Sequence, residues 1–309
     1  MGSLKRKAFT LIELLVVIAI IGILSALIII GMSSTTQKAT IAKAQVFSNS
    51  LRNSLMGNLV SEWKLDDASS GSSTAATDSW NGINNGVLTN FNFNTTDGWR
   101  TGADCVSGNC LLFDGVNDYV DCGDNDVFSF GNSTVDYPFS LSVWVKAGAT
   151  GALLAKATGS NVGEYYILQS GTNLYFRLVD NSLGTYIGVS FSDSNYLGKW
   201  MHITATYNGN LSVSGIKIYV NGTQQSVSDS SLVGYVAMEN TAVSFKMGLR
   251  NEFFDGSMDD VRVYNAAVPT SQIQQNYFAG LNKLFAKNQI TKEEYNKRFA
   301  DLKSNYAKE

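Results

Sequence analysis

KWMHITATYNGNLSVSGIKIYVNGT (199–223) carries the pattern that decides the fold. Two runs, WMHITATY (200–207) and GIKIYVNG (215–222), are dense in β-branched and aromatic residues, and Asn, Gly and Ser fill the gap between them. Runs of that kind, bounded by turn formers, read as strands. Asn221-Gly222 closes the second run as a tight turn, because both residues tolerate positive φ. The same texture extends outward. LLF (111–113), DYVDC (118–122), SLSVWVKA (140–147), EYYILQS (164–170), NLYFRLVD (173–180), TYIGVSF (185–191), AVSFKMG (242–248) and MDDVRVYN (258–265) also read as strands. Regularly spaced strands with almost no helix between them predict a mainly β fold, a sandwich or jelly roll, from about Asn58 onward. FDG at 113–115 and at 254–256 is read as turn chemistry at strand ends.

Upstream the period changes. Ala44, Phe47, Leu51, Leu55 and Leu59 recur at spacings of three and four, and residues 35–60 hold no proline. That is one face of an amphipathic helix. Further back, Lys5, Arg6 and Lys7 precede Ala8, and an apolar run from Phe9 to Ile30 is interrupted by Thr10, Ser25 and one carboxylate, Glu13. Leu11 to Ile30 would be roughly 30 Å long as helix, enough to span a bilayer. The three cations hold the N-terminus in the cytoplasm and send the rest outside. A secretory signal carries its small-residue cleavage site after the apolar stretch. Here the small residue lies before it.

That order, with FTLIEL at 9–14, resembles the leader of type IV pilins and of the pseudopilins of type II secretion. The resemblance implies a leader over 1–8, cleavage by a prepilin peptidase between Ala8 and Phe9, and a mature N-methylated Phe9. It makes Glu13 the fifth mature residue, where the family keeps a glutamate. A carboxylate among aliphatic side chains in lipid needs a partner, and in a pilus that partner is the free amine of a neighbouring Phe9. The family prefers glycine where this chain has Ala8, and its helix-kinking proline is missing. A plain membrane anchor is the alternative, but an anchor gains nothing from Glu13. The helix would run over 9–57 as transmembrane segment and stalk.

A second resemblance covers 58–278. EWKLDD (62–67), DSWNGINNGVLTN (78–90) and LLFDGVNDYVDCG (111–123) look like the first strands of a laminin-G-like, concanavalin A-like jelly roll. FSLSVWVKA (139–147), KWMHITATYNG (199–209), GIKIYVNGT (215–223) and FFDGSMDDVRVYNAAVPTSQIQQNY (253–277) match its later strands in order. The fold hosts lectins, adhesion modules, spacers and some enzymes, so it does not by itself set the function.

Candidate site residues are weighed against structural roles. Trp63, Trp144 and Trp200 lie on apolar strand faces and read as core. His202, the single histidine, reads as a satisfied core residue without a metal or catalytic partner. Residues 61–130 are rich in Asp and contain only Lys64 and Arg100 as cations, and the last strand adds Asp255, Asp259 and Asp260. Jelly rolls place their first and last strands side by side. The acidic sets therefore form either a solvated face or one structural calcium site, with Asp78, Asn84 and Asp259 as its ligands. Calcium is the one cofactor this composition suggests. Cys105 and Cys110 bracket VSGN and are expected to form a disulfide, which suits an extra-cytoplasmic location, and Cys122 is left as a buried thiol.

The tail, assigned to 279–309, reads as two short amphipathic helices, one capped by Ser271 and Gln274 and the next by Thr291 and Glu294. They dock on the head or stalk, or contact another subunit. Net charge is −3, with no phosphate-binding pattern, so nucleic acid is not an expected partner. No Ser-His-Asp set, no Glu-x-Asp-x-Glu strand and no metal-binding histidine motif is present, so catalysis is not expected. The expectation is a membrane-anchored, surface-exposed subunit of a type IV pilus or related filament, with a lectin-like head for glycan or surface-ligand adhesion. A pseudopilin or spacer without a ligand and a tethered carbohydrate-active enzyme are the alternatives. Partners would be the membrane, prepilin peptidase and other pilin-like subunits.

Overall fold

The computed structural model describes residues 56–306, apart from 68–72, 95–96, 149 and 194–196. The expected leader, Ala8, Phe9, Glu13 and the anchor helix lie outside the described residues. So does the stalk stripe except for Leu59, which opens a strand instead of ending a helix. Among the described residues, no helix is long and apolar enough to cross a membrane.

The strands longer than two residues are β1 (Leu59–Trp63), β2 (Gly86–Thr89), β3 (Gly98–Thr101), β4 (Asn109–Asp114), β5 (Tyr119–Asp121), β6 (Phe139–Ala147) and β7 (Thr150–Ala157). They continue with β8 (Gly163–Ser170), β9 (Asn173–Asp180), β10 (Thr185–Ser192), β11 (Trp200–Tyr207), β12 (Ile216–Val220) and β13 (Asp255–Tyr264). An eight-stranded sheet runs from Thr223–Gln224 through β12, β11, β6, β13 and β4 to β3, with β1 also paired to β13. A nine-stranded sheet runs from Ser228–Asp229 through β10, β9, β8, β7, Lys246–Met247, β5 and β2 to Ala75–Ala76.

Alternation along each strand sends one set of side chains between the sheets. Trp63, Phe113, Phe128, Phe139, Tyr165, Phe176, Tyr207 and Phe245 are fully buried there, and Phe130 stacks on Phe139 at 4.4 Å between centroids. First and last strands are neighbours, as expected: Glu62 pairs in register with Arg262. What meets across that pair is an ion pair, Arg262 Nε to Glu62 Oε1 at 2.7 Å, and Arg262 also holds Asp260. One cation thus neutralises part of the acidic set that a count over 61–130 left unpaired.

Turn chemistry agrees with the sequence at two places and departs at a third. Asn221 and Gly222 both have positive φ, +52° and +75°, and Gly115 turns the chain after β4 with φ +75°. Asp255-Gly256, read as a turn, lies inside the first residues of β13. Gly256 is required there because a Cβ would sit 2.4 Å from the Lys146 carbonyl.

Two helices, α1 (Thr270–Ala286) and α2 (Lys292–Tyr306), cover the outer face of the eight-stranded sheet. Tyr277, Leu281, Leu284 and Leu302 pack on Trp144 and Trp200. The helices touch through Phe278–Phe299 and Phe285–Tyr295 ring contacts. The cap at Thr291 forms, with the Glu294 N–H donating to Thr291 Oγ1. Ser271 does not cap α1: the helix starts two residues earlier than that cap implies, after Pro269, whose backbone is extended at the N-cap and which has no side-chain acceptor.

Candidate ligand-binding face

The tryptophans singled out from sequence are core residues: Trp63, Trp144 and Trp200 are all buried. His202 is fully buried between Trp144 and Tyr277, with Nε2 2.9 Å from Ser142 Oγ. Burial, with Arg262 nearby, pulls its pKa down to about 3, so the ring is neutral. Its Nδ1 meets no hydrogen-bond partner among the described residues, and helix α1 seals the Ser142–His202 pair from solvent. Cys105 and Cys110 are joined in a disulfide, and Cys122 is a buried free thiol.

The structure brings Asp78 and Asn84 together, while Asp259 is engaged by the disulfide loop. Asp78 Oδ1 accepts from the Glu62 and Trp80 N–H groups, and Asp78 Oδ2 accepts from the Asn84 N–H and amide. The Asn84 amide oxygen accepts from Asn125. These atoms are spent on shaping the loop after β1. Asp259 turns instead to the disulfide loop, where Oδ2 accepts the Ser107 N–H at 2.9 Å. Burial and neighbouring Asp260 push its carboxyl well above the usual range, which favours the neutral acid. The sequence showed acidic abundance but could not show which carboxylates were already committed to backbone donors.

The face the sequence did not single out is the outer side of β7, β8, β9 and β10. There Ala152, Ala155, Ala157, Tyr166, Leu168 and Val179 form a layer separate from the main core, with Tyr175 and Tyr186 packed on it. Register assembles its centre: Arg177 on β9 lies opposite Tyr166 on β8 and Gly188 on β10. The Arg177 guanidinium stacks between the rings of Tyr175 and Tyr186, at 4.8 and 4.4 Å from their centroids. It donates to Tyr166 Oη at 3.2 Å. Gly188 leaves room for it, since a Cβ there would come within 2.5 Å of Arg177 Cγ. Arg250 covers the Tyr166 ring at 4.3 Å.

The two arginines of this face differ: Arg250 holds Glu252. Among the described residues no carboxylate pairs with Arg177, which is half-exposed. Leu232, bridged to Tyr186, and the following Val233 expose apolar side chains, Val233 at 95 %. A guanidinium held flat by two rings presents fixed donors to a carboxylate, and tyrosine faces suit the C–H surface of a sugar. The signal that could have found it is the alternation in NLYFRLVD, which puts Tyr175, Arg177 and Val179 on one face.

Two packed sheets with an open aromatic face define a lectin-like β-sandwich. The family model of the concanavalin A-like lectin/glucanases superfamily matches residues 114–274, more than half of the chain, and the chain belongs to that superfamily. The prokaryotic N-terminal methylation motif matches residues 3–29. The motif makes the protein pilin-like and implies that it is membrane-anchored or displayed at a surface. No curated protein matches the chain.

Among solved structures, the binding domain of Paraclostridial Mosquitocidal Protein 1 is similar at 18 % identity and TM-score 0.53, covering 74 % of this chain and 53 % of that one. The binding domain of botulinum neurotoxin serotype D is similar at 15 % identity and TM-score 0.53, covering 74 % and 52 %. The serotype D ligand-binding domain in complex with N-acetylneuraminic acid is similar at 14 % identity and TM-score 0.51, again covering 74 % and 52 %. The chain spans about half the length of these proteins. At such identities the likeness is one of fold.

Proposed function

We propose that the protein is a pilin-like subunit of a type IV pilus or related filament whose jelly-roll head binds acidic glycans on the Arg177 face. The observation that carries the ligand class is the unpaired, ring-clamped Arg177 guanidinium beside half-exposed Tyr175 and Tyr186. A sugar carboxylate is the anion that fits it, with the pyranose ring against a tyrosine. The similar toxin domain solved with N-acetylneuraminic acid is consistent with a carboxylated sugar, though only through fold.

The test is a glycan array probed with the full chain in detergent micelles. Retention of sialylated or uronate-bearing glycans over their neutral counterparts is expected. Arg177→Gln should weaken it by about 10- to 100-fold, the worth of a charge-assisted hydrogen bond. Binding confined to neutral glycans, or unchanged in Arg177→Gln, overturns the assignment to this face. No glycan binding at all favours a pseudopilin or spacer whose head makes only subunit contacts.

A further inference from the structure

The edge of the sandwich around β3, β4 and β5 concentrates carboxylates, and the nearby Arg100 guanidinium donates to the Asp97 carbonyl. Asp97 precedes β3, Asp114 ends β4 and Asp118 precedes β5. One carboxylate oxygen from each lies within 4.8 Å of the other two. Asp97 and Asp118 are fully buried and Asp114 is half-buried. Among the described residues, none of the three forms an ion pair with a lysine or arginine. Buried like charges at this spacing need a proton or a cation between them.

Their hydrogen bonds orient the cluster without saturating it. Asp97 Oδ2 accepts from the Asn92 N–H and amide, both at 2.9 Å, and Asp97 Oδ1 accepts from the Asn94 N–H. Burial pushes the Asp97 carboxyl up, but these donors outweigh it and hold the group anionic. Asp114 Oδ1 accepts from the Val116 and Asn117 N–H groups. Asp118 Oδ2 accepts the Asp114 N–H at 3.0 Å, whereas Asp118 Oδ1, equally buried, meets no donor. A bare carboxylate oxygen beside two further carboxylates, with no N–H reaching it, is the arrangement a cation completes.

We propose that Asp97, Asp114 and Asp118 form a calcium site that ties the chain before β3 to the turn between β4 and β5. Calcium sits about 2.3–2.6 Å from its oxygens, so two ligands of one ion lie up to about 5 Å apart, which the cluster satisfies. The donors are all hard carboxylate oxygens, the ligand type that suits calcium, magnesium and manganese. The half-buried side of Asp114 leaves access for water to supply remaining ligands. The site uses none of the residues that the acidic pattern first suggested, and it does not depend on the glycan reading.

The test is equilibrium dialysis of the full chain in detergent micelles against radiolabelled calcium, paired with thermal melting in calcium, magnesium and EDTA. At about 1 mM free calcium, the regime of extracellular sites, one calcium per chain is expected. Melting should rise by a few degrees over EDTA, with magnesium giving less. Asp114→Asn changes only the half-buried member, so it should keep the fold and lose both effects. Asp118→Asn, if folded, should do the same. Two results overturn the proposal. One is no retained calcium, with equal wild-type melting in calcium and EDTA, and then the carboxylates share a proton. The other is calcium retained equally by Asp114→Asn, which puts the ion elsewhere.

Discussion

Burial of His202 makes one imidazole a detectable part of the acid stability of the head. The ring is neutral in the folded protein, its pKa pulled to about 3 by burial and by Arg262, whereas the unfolded chain titrates near 6.5. Between those values the unfolded state binds the extra proton. The contribution is therefore fully present above pH 6.5 and is lost as pH falls toward 3. Replacing His202 with Asn keeps a polar group near Ser142 but removes the titration. The variant should be less stable at neutral pH, where the stacking with Trp144 is lost. It should also show a flatter pH profile: by pH 4 the wild type is expected to lose about 3 kcal/mol more than His202→Asn, relative to each protein at pH 7. Denaturant midpoints of both proteins at the two pH values measure this, and parallel profiles would rule out a buried neutral ring. Lys156 is as buried as His202 but is fully partnered: its Nζ meets Asp124 at 2.7 Å, Glu164 at 3.2 Å and the carbonyls of Thr241 and Val243.

Helix α1 is held to the eight-stranded sheet by a contact that tolerates no side chain. A Cβ at Gly280 would lie 2.3 Å from Trp144 Cζ2, and Trp144 sits mid-strand in β6 with no room to withdraw. Alanine raises helix propensity by about 1 kcal/mol over glycine. Overpacking against a fixed ring costs about 1–3 kcal/mol. Gly280→Ala is therefore expected to lower the melting temperature, against its propensity, and a higher one would show that α1 is not seated on Trp144. The same helix anchors the disulfide loop: Lys283 donates to Ser107 Oγ and Lys287 to the Cys105 carbonyl. This docking was legible in outline, since the Ile273, Tyr277, Leu281 and Leu284 stripe marks an apolar face. Strands rich in β-branched and aromatic residues were also legible, and NLYFRLVD and WMHITATY were bounded to the residue, the second although it is buried on both faces. β7 was not. TGALLAKA is buried on both faces from Gly151 to Ala157, so it shows no alternation, and its lysine argues falsely for exposure. The Arg177 face was hidden for a different reason. Its members lie on three strands, and only their register brings Tyr166, Arg177 and Gly188 together. The carboxylate cluster is similar, because spacing along the chain does not say which aspartates have already taken backbone N–H groups.

At the scale of the whole molecule, a binding head serves a filament only if the N-terminal segment can pack among copies of itself, and Glu13 makes that depend on processing. A carboxylate in an apolar helix is costly without a partner. The amine of a neighbouring Phe9 can supply one only after the bond between Ala8 and Phe9 is cut. With the leader attached, that amine would not exist, and Lys5, Arg6 and Lys7 would be expected to keep the N-terminus at the cytoplasmic face. Filaments sheared from native cells are therefore expected to contain this chain with an N-terminal peptide starting at methylated Phe9, read by mass spectrometry. Glu13→Ala should still be processed and membrane-bound but depleted from the filament fraction, because the partnered carboxylate is what aligns neighbouring helices. The opposite result is equally specific: a peptide retaining Met1–Ala8, found only in membranes. It would mean that alanine in place of the family's glycine blocks cleavage, and the head would then act as a tethered lectin-like domain at the cell surface, outside any filament.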